Sequence, residues 1–236
     1  LKPGGNTVIA KRDFVCSPKA RRIFLESTGP RRSEINTEIN KITYDVEIES
    51  IYLIGDFGVK SLSGYSEGER DAQFTEGPFI LVESPSKVSA RKSLVEQGLP
   101  FFAGNIALEQ EFEWNKANQD SDVYLEFQKP QAVISKVFVN GELVKVLCWR
   151  PYKVNISSFL RNGINRIKIE LFHSCRNLLG PHHHVAGEKY AVRPDNFTPR
   201  RGFLERETEQ EAVWRDRYCF VKFGLCSPVT MKIYRE

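Results

Sequence analysis

The most informative stretch of this sequence is Val137-Phe138-Val139-Asn140-Gly141-Glu142-Leu143. Apolar, β-favouring residues stand on both sides of Asn140-Gly141, and these two residue types accept the positive φ angles of a type I′ turn. Because a type I′ turn joins neighbouring antiparallel strands, the stretch predicts a β-hairpin.

Further short runs of β-favouring residues surround this hairpin. Together with its two strands they form a set of six predicted strands in the second half of the chain: Gly104–Phe112, Asp122–Phe127, Val133–Val139, Glu142–Cys148, Asn165–Phe172 and Tyr218–Phe223. Helical periodicity is nearly absent from the sequence. Short strands separated by turn residues are typical of antiparallel sandwiches and jelly rolls. The sequence therefore predicts an all-β fold built as an antiparallel β-sandwich.

A short internal echo indicates two successive β-rich units. Residues Leu1–Ile9 and Leu160–Lys168 share the order Leu, basic, any residue, Gly, any residue, Asn, followed by a β-rich stretch. We place the first unit at residues 1–97 and the second at 98–236. In the first unit we predict strands at Thr7–Phe14, Ile42–Val59 and Phe79–Glu83. Because the chain opens with Leu inside this motif, we expect it to be a piece of a longer protein.

Composition excludes several classes of function. The net charge is +4, from 34 basic and 30 acidic residues, and the basic pairs are dispersed, so we expect no nucleic-acid partner. No apolar run reaches the roughly 18–20 residues that span a membrane. The five Cys residues show no metal-type spacing, so we expect reduced thiols and no cofactor. The sequence does not indicate a cellular compartment.

Three motifs in order resemble a known family of jelly rolls. They are the Val139-Asn140-Gly141 hairpin, the segment Pro151-Tyr152-Lys153-Val154-Asn155-Ile156, and the turn that runs from Leu160 to Asn165. This series resembles the galactose-binding-domain-like jelly rolls found in glycoside hydrolases of the β-galactosidase and rhamnosidase type. Other stretches, such as Arg176–His184, resemble the C-terminal regions of large modular bacterial glycoside hydrolases.

The resemblance implies an accessory region and not a catalytic one. Such hydrolases carry their catalytic carboxylates on a (β/α)₈ barrel, and this chain has no alternating β-α pattern. We therefore predict no catalytic residue here and expect a carbohydrate, or a neighbouring catalytic domain of the same protein, as the partner. The pairs Glu109/Glu111 and Asp120/Asp122 are interpreted as exposed strand charges.

Carbohydrate binding requires flat rings and side chains that both donate and accept hydrogen bonds. Two segments offer them, and the candidate binding residues are Trp149, Tyr152, Arg176, Asn177 and His182. In a jelly roll both segments would lie near strand ends, where loops carry ligands. The alternative is that Trp149 and Tyr152 pack on the sheet edge while Arg176-Asn177 tie a loop to backbone carbonyls.

A different class of function would use the histidines. His182-His183-His184 form a run in a loop that begins with Gly180-Pro181, with His173 nearby. Neighbouring residues on an extended chain point to opposite sides, so at most two of the three could share one ion. The alternative hypothesis is a free-standing, metal-assisted hydrolase that uses the loop His182–His184.

Overall fold

The structure is a computed structural model that describes residues 7–11, 17–27, 51–115, 121–189 and 214–235. The chain divides into two compact units, Leu1–Gly55 and Asp56–Glu236. In the first unit, helix α1 spans Pro18–Ser27. No described helix has the length and apolar character needed to cross a membrane.

Of two strands predicted near the N-terminus, one is not found in the described residues and the other is found only at its C-terminal end. Residues 7–11 of the predicted strand Thr7–Phe14 have no regular secondary structure, and its remainder lies outside the described residues. Of the predicted strand Ile42–Val59, residues 42–50 lie outside the described residues, residues 51–57 form no strand, and Gly58-Val59 belong to a strand. The apolar run in this segment is exposed instead of paired, with Ile54 at 96% exposure.

The second unit is built almost entirely of antiparallel strands. They are β1 Gly58–Ser61, β2 Ser66–Glu67, β3 Ala72–Thr75, β4 Phe79–Val82, β5 Asn105–Trp114, β6 Ser121–Glu126, β7 Ile134–Val139, β8 Glu142–Leu147, β9 Lys153–Asn155, β10 Gly163–Phe172, β11 Tyr218–Val221 and β12 Thr230–Arg235. A short helix, α2, spans Arg176–Leu179. All six strands predicted in the second half of the chain are present, with ends that differ by one or two residues.

Two sheets pack face to face to form the sandwich. One has the strand order β5-β10-β7-β8 and the other β12-β6-β9. The core cluster between them takes side chains from both sheets and from the segment that joins β9 to β10: Val123, Leu125, Val137, Val139, Leu147, Val154, Ile156 and Leu160. Each strand contributes alternate residues because side chains along a strand point to opposite faces. The predicted all-β antiparallel sandwich is confirmed.

A third sheet has the order β11-β3-β2, and a fourth pairs β1 with β4. A second core cluster lies beside β10 and is formed by Leu94, Ile169, Leu171, Phe223 and Leu225. Two contacts cross the boundary that we predict between residues 97 and 98. Strand β3 pairs with β11, and Leu94 is buried in the second core cluster together with residues that follow the boundary. That boundary stays a prediction.

The hairpin turn between β7 and β8 has the predicted geometry. Asn140 has a φ of 53° and Gly141 a φ of 89°, the signs that a type I′ turn requires. The Asn140 side chain also forms a hydrogen bond outside the turn: its Nδ2 donates to Oδ1 of Asn165 at 2.8 Å. The asparagines of two of the three sequence motifs therefore bind each other.

Candidate functional site

A groove of about 570 Å³ lies between the segment that follows β6 and the segment that precedes β9. Its lining residues are Phe127, Gln128, Lys129, Arg150, Pro151 and Tyr152. The two segments are joined by the backbone N–H of Phe127, which donates to the carbonyl of Tyr152 at 2.9 Å. This bond fixes the spacing of the walls, so the groove is part of the sandwich framework.

Trp149 and Tyr152 have different surroundings although they are three residues apart. Tyr152 is half-buried and packs against the core of the sandwich while it lines the groove. Trp149 is 77% exposed. The alternative in which both rings pack on the sheet therefore holds in part for Tyr152 and not for Trp149. An exposed indole beside a groove is available to stack on a ligand.

The groove is connected to the β2–β3 hairpin through a weak ion pair. Lys129 Nζ lies 3.9 Å from a carboxylate oxygen of Asp71, and the two side chains are 59% and 40% exposed. Arg70 and Asp71 form the turn of that hairpin with φ angles of 55° and 61°. Residues other than glycine rarely hold two successive positive φ angles, and such conformations are common near functional sites.

The same hairpin turn contacts the second predicted segment. Arg70 Nη1 donates to the carbonyl of Glu188 at 3.1 Å. The Glu188 carboxylate accepts from Arg176, with Nη2 at 2.6 Å, and both side chains are mostly buried. The hairpin turn thus links Lys129 of the groove to Arg176. Arg176 itself is not one of the described residues that line the groove.

Asn177 has a structural position. Its side chain is completely buried, its Oδ1 accepts from the backbone N–H of Val221 at 2.8 Å, and its Nδ2 donates to the Val221 carbonyl at 2.8 Å. The amide thereby takes the place of a neighbouring strand along one edge of β11. This is the alternative in which the Arg176-Asn177 segment ties a loop to backbone groups.

His182 lies in an aromatic cluster. Its ring centroid is 5.2 Å from that of Phe220, 5.6 Å from that of Phe101 and 6.0 Å from that of Tyr218. Burial lowers the pKa of His182 below its ordinary value, because a charged imidazole is costly among these rings. Nδ1 is buried and has no hydrogen-bond partner in the described part of the chain. A water molecule or a ligand group would satisfy it.

The three neighbouring histidines face three environments. The His183 ring lies against Trp214 and Tyr218, with centroids 4.9 Å and 4.4 Å away. The His184 side chain is buried and its Nδ1 accepts from the backbone of Ala186 at 3.0 Å. Within the described ranges, no group of three or more His, Cys, Asp or Glu side chains is arranged to hold a metal ion. The described residues therefore contain no metal site for the metal-assisted hydrolase hypothesis.

Sequence reasoning found one wall of the groove and missed the other. It selected Trp149 and Tyr152 from the segment before β9, but not Phe127-Gln128-Lys129. A signal was present, because Phe127 is the last residue of the predicted strand Asp122–Phe127, and Gln128 and Lys129 follow it directly before Pro130. Residues that follow a strand end are the positions at which sandwich folds carry loops with function.

Comparisons with known proteins give similarity only to solved structures. No protein-family model matches the chain, and no curated protein matches it. The chain is similar to a rhamnosidase from Novosphingobium sp. PP1Y, with 18% identity and a TM-score of 0.37 over 80% of this chain and 16% of that one. It is similar to a β-D-glucuronidase from Dictyoglomus thermophilum, with 18% identity and a TM-score of 0.37 over 78% of this chain and 29% of that one. It is also similar to a β-glucuronidase from Ruminococcus gnavus, with 16% identity and a TM-score of 0.29 over 52% of this chain and 22% of that one.

The chain spans less than a third of each of these three enzymes. Function is therefore inferred from the groove itself.

Proposed function

We propose that this chain is a non-catalytic accessory β-sandwich of a glycoside-hydrolase-like protein and that it binds carbohydrate. The groove formed by the segments after β6 and before β9 is the observation that carries the proposal. Tyr152 and Phe127 supply apolar ring surface, and Gln128 supplies an amide that donates and accepts. Trp149 is not a lining residue, but it directly precedes the lining residue Arg150 and is exposed. This is the combination of flat rings and two-way hydrogen-bonding groups that sugars require.

In this proposal the groove binds saccharide and does not hydrolyse it. Glycoside hydrolysis uses a pair of carboxyl groups on either side of the bond that is cleaved. None of the six lining residues carries a carboxyl group. In this proposal any hydrolysis belongs to another domain of the parent protein, and the sandwich holds the saccharide or that domain.

The test is a titration of the chain with a panel of soluble oligosaccharides, followed by chemical shifts or calorimetry. We expect a dissociation constant on the order of 0.1–1 mM, because an open groove releases ordered water for a small net gain. Trp149→Ala should remove most of the binding. Its melting temperature should stay close to that of the original chain, since a side chain that is 77% exposed contributes little to folding.

Trp214→Ala is the matched control. Trp214 is also exposed, at 55%, but it packs on His183 and belongs to neither of the two segments that form the groove, whereas Trp149 directly precedes the lining residue Arg150. This variant should bind like the original chain. Equal loss of binding in both variants, or no binding of any saccharide by the original chain, would exclude the groove as a carbohydrate site.

A structural role beside a neighbouring domain is the second candidate. Leu143 and Val146 lie on β8, the edge strand of the four-stranded sheet, and are 50% and 43% exposed. Apolar side chains on a sheet edge are typical of surfaces that another domain covers. In this proposal β8 contacts the catalytic domain of the parent protein.

A further inference from the structure

Cationic side chains line both walls of the groove. Lys129 lies on the wall after β6 and Arg150 on the wall before β9, and both are exposed. We propose that the groove binds an acidic saccharide, whose carboxylate is held between Arg150 and Lys129. This inference rests on the carbohydrate-binding function proposed above and names the ligand class of the same site.

Arg150 differs from three other arginines of the unit. Each of those pairs with a glutamate: Arg161 with Glu142, Arg166 with Glu109, and Arg176 with Glu188. Among the residues that the structure describes, no carboxylate pairs with Arg150. Arg150 lines the groove, and its guanidinium donors are therefore available to a ligand there. A guanidinium presents two parallel N–H groups that match the two oxygens of a carboxylate.

Lys129 has a partner that a ligand can replace. The distance of 3.9 Å to Asp71 is near the limit for an ion pair, and both side chains are well exposed. Exposed pairs of this kind contribute little free energy, because water and salt screen them. A ligand carboxylate that sits between Lys129 and Arg150 interacts with two cations, and it loses little by competing with Asp71.

The remaining lining residues suit the sugar ring to which the carboxylate is attached. Tyr152 and Phe127 offer apolar surface to the C–H face of the ring, and the Gln128 amide can bond a hydroxyl. A neutral sugar can use these contacts as well. The carboxylate adds charge-assisted hydrogen bonds, which are roughly twice as strong as neutral ones. Charge should therefore decide the preference among saccharides of equal shape.

The experiment compares two trisaccharides of matched shape on the full chain. Trigalacturonate carries three carboxylates, and its carboxyl-reduced product, a neutral galactotriose, carries none. At about 20 mM salt we expect trigalacturonate to bind about tenfold more tightly, which corresponds to about 1.4 kcal/mol. The ratio should fall as salt is raised to about 300 mM, because salt screens exposed charges. A sulfated galactotriose separates a carboxylate site from a general anion site.

Two variants locate the preference. Arg150→Gln and Lys129→Gln should each move the ratio of the two affinities toward one. Arg161→Gln is the matched control, since Arg161 is 65% exposed and lies outside the groove lining, and it should keep the ratio. Melting curves check that all three variants fold.

The outcomes separate this inference from the proposed function. Equal binding of the acidic and neutral trisaccharides, with loss of both in Trp149→Ala, overturns the acidic preference and leaves carbohydrate binding in place. Failure of all saccharides to bind overturns both. Tighter binding of the sulfated trisaccharide than of trigalacturonate overturns the carboxylate assignment, and a ratio kept in Arg150→Gln overturns the assigned cations.

Discussion

Asn165 shows how a single residue can connect the sequence motifs of this chain. It is completely buried; its Oδ1 accepts from the Arg161 backbone and from Asn140, and its Nδ2 donates to the carbonyls of Arg161 and Gly163. The donor–acceptor distances of these four bonds are 2.8 or 2.9 Å. A buried amide that satisfies four partners closes the turn before β10 and fixes it against the β7–β8 hairpin. The motif residues therefore have a structural explanation that is independent of ligand binding.

His173 makes stability depend on pH. Its ring stacks on Phe223 with centroids 4.1 Å apart, and burial lowers its pKa to about 4. The unfolded chain binds the proton near pH 6.5, so stability is fully present above that pH and is lost as the pH falls toward 4. His173→Phe keeps a stacked ring and removes this titration. As the pH falls from 7 to 4, the free energy of unfolding of this variant should therefore increase relative to that of the original chain.

Urea unfolding at pH 7, 5.5 and 4.5 measures this difference. His182 also has a lowered pKa, so the variant should retain part of the pH dependence. A second variant, His173→Phe with His182→Phe, should show a still smaller dependence. Stability curves of His173→Phe and the original chain that run parallel from pH 7 to 4.5 would show that His173 does not titrate as described.

At the scale of elements, the β7–β8 hairpin is the clearest success of sequence reasoning, and its turn can be tested. A Cβ added at Gly141 meets no atom within 4 Å, so its φ of 89° is the only obstacle to a side chain. Gly141→Val should reduce the free energy of unfolding by about 1–3 kcal/mol, because a β-branched residue resists positive φ. Gly141→Asn should lose less, since Asn tolerates this conformation. Equal urea midpoints for the two variants would argue against a conformational cause.

Elements with a strong local signal were predictable, and those defined by their partners were not. The six strands of the second half of the chain combine alternation with turn residues at both ends. By contrast, β3 reads Ala72-Gln73-Phe74-Thr75, and its residues become a strand because β2 and β11 pair with it. The run at Ile51–Ile54 has strand-like composition but gains no partner among the described residues. Composition gives the tendency of a segment, while pairing is decided by distant residues.

The candidate site, like the strand pairing, depends on residues that are distant in sequence. Trp149 was predictable as a ring in a loop, but the groove also needs Phe127-Gln128-Lys129, which lie twenty or more residues away in sequence. Asn177 is of a residue type that often binds sugars, but its amide instead forms hydrogen bonds with the backbone at the edge of β11. Residue type cannot separate these two uses of an amide, since the difference lies in which atoms surround it.

At the scale of the whole molecule, the boundary predicted at residue 97 can be tested with two fragments, 56–236 and 98–236. The shorter fragment lacks β3, which pairs with β11, and Leu94, which is buried in the second core cluster and donates its N–H to the Phe223 carbonyl at 2.7 Å. Loss of one buried Leu side chain alone costs about 2–5 kcal/mol. We therefore expect fragment 98–236 to melt at a much lower temperature than fragment 56–236.

Hydrogen exchange identifies the region responsible for this difference. In fragment 98–236 the edge of β11 that faces β3 is unpaired, so the β11 amides that donate across this edge should exchange much faster than in fragment 56–236. The amides of β7 and β10 should keep their protection, because their partners all follow residue 98. Equal melting temperatures and equal protection of β11 in the two fragments would support a domain boundary at residue 97. Faster exchange confined to β11 would instead assign residues 56–97 to the same folding unit as the sandwich.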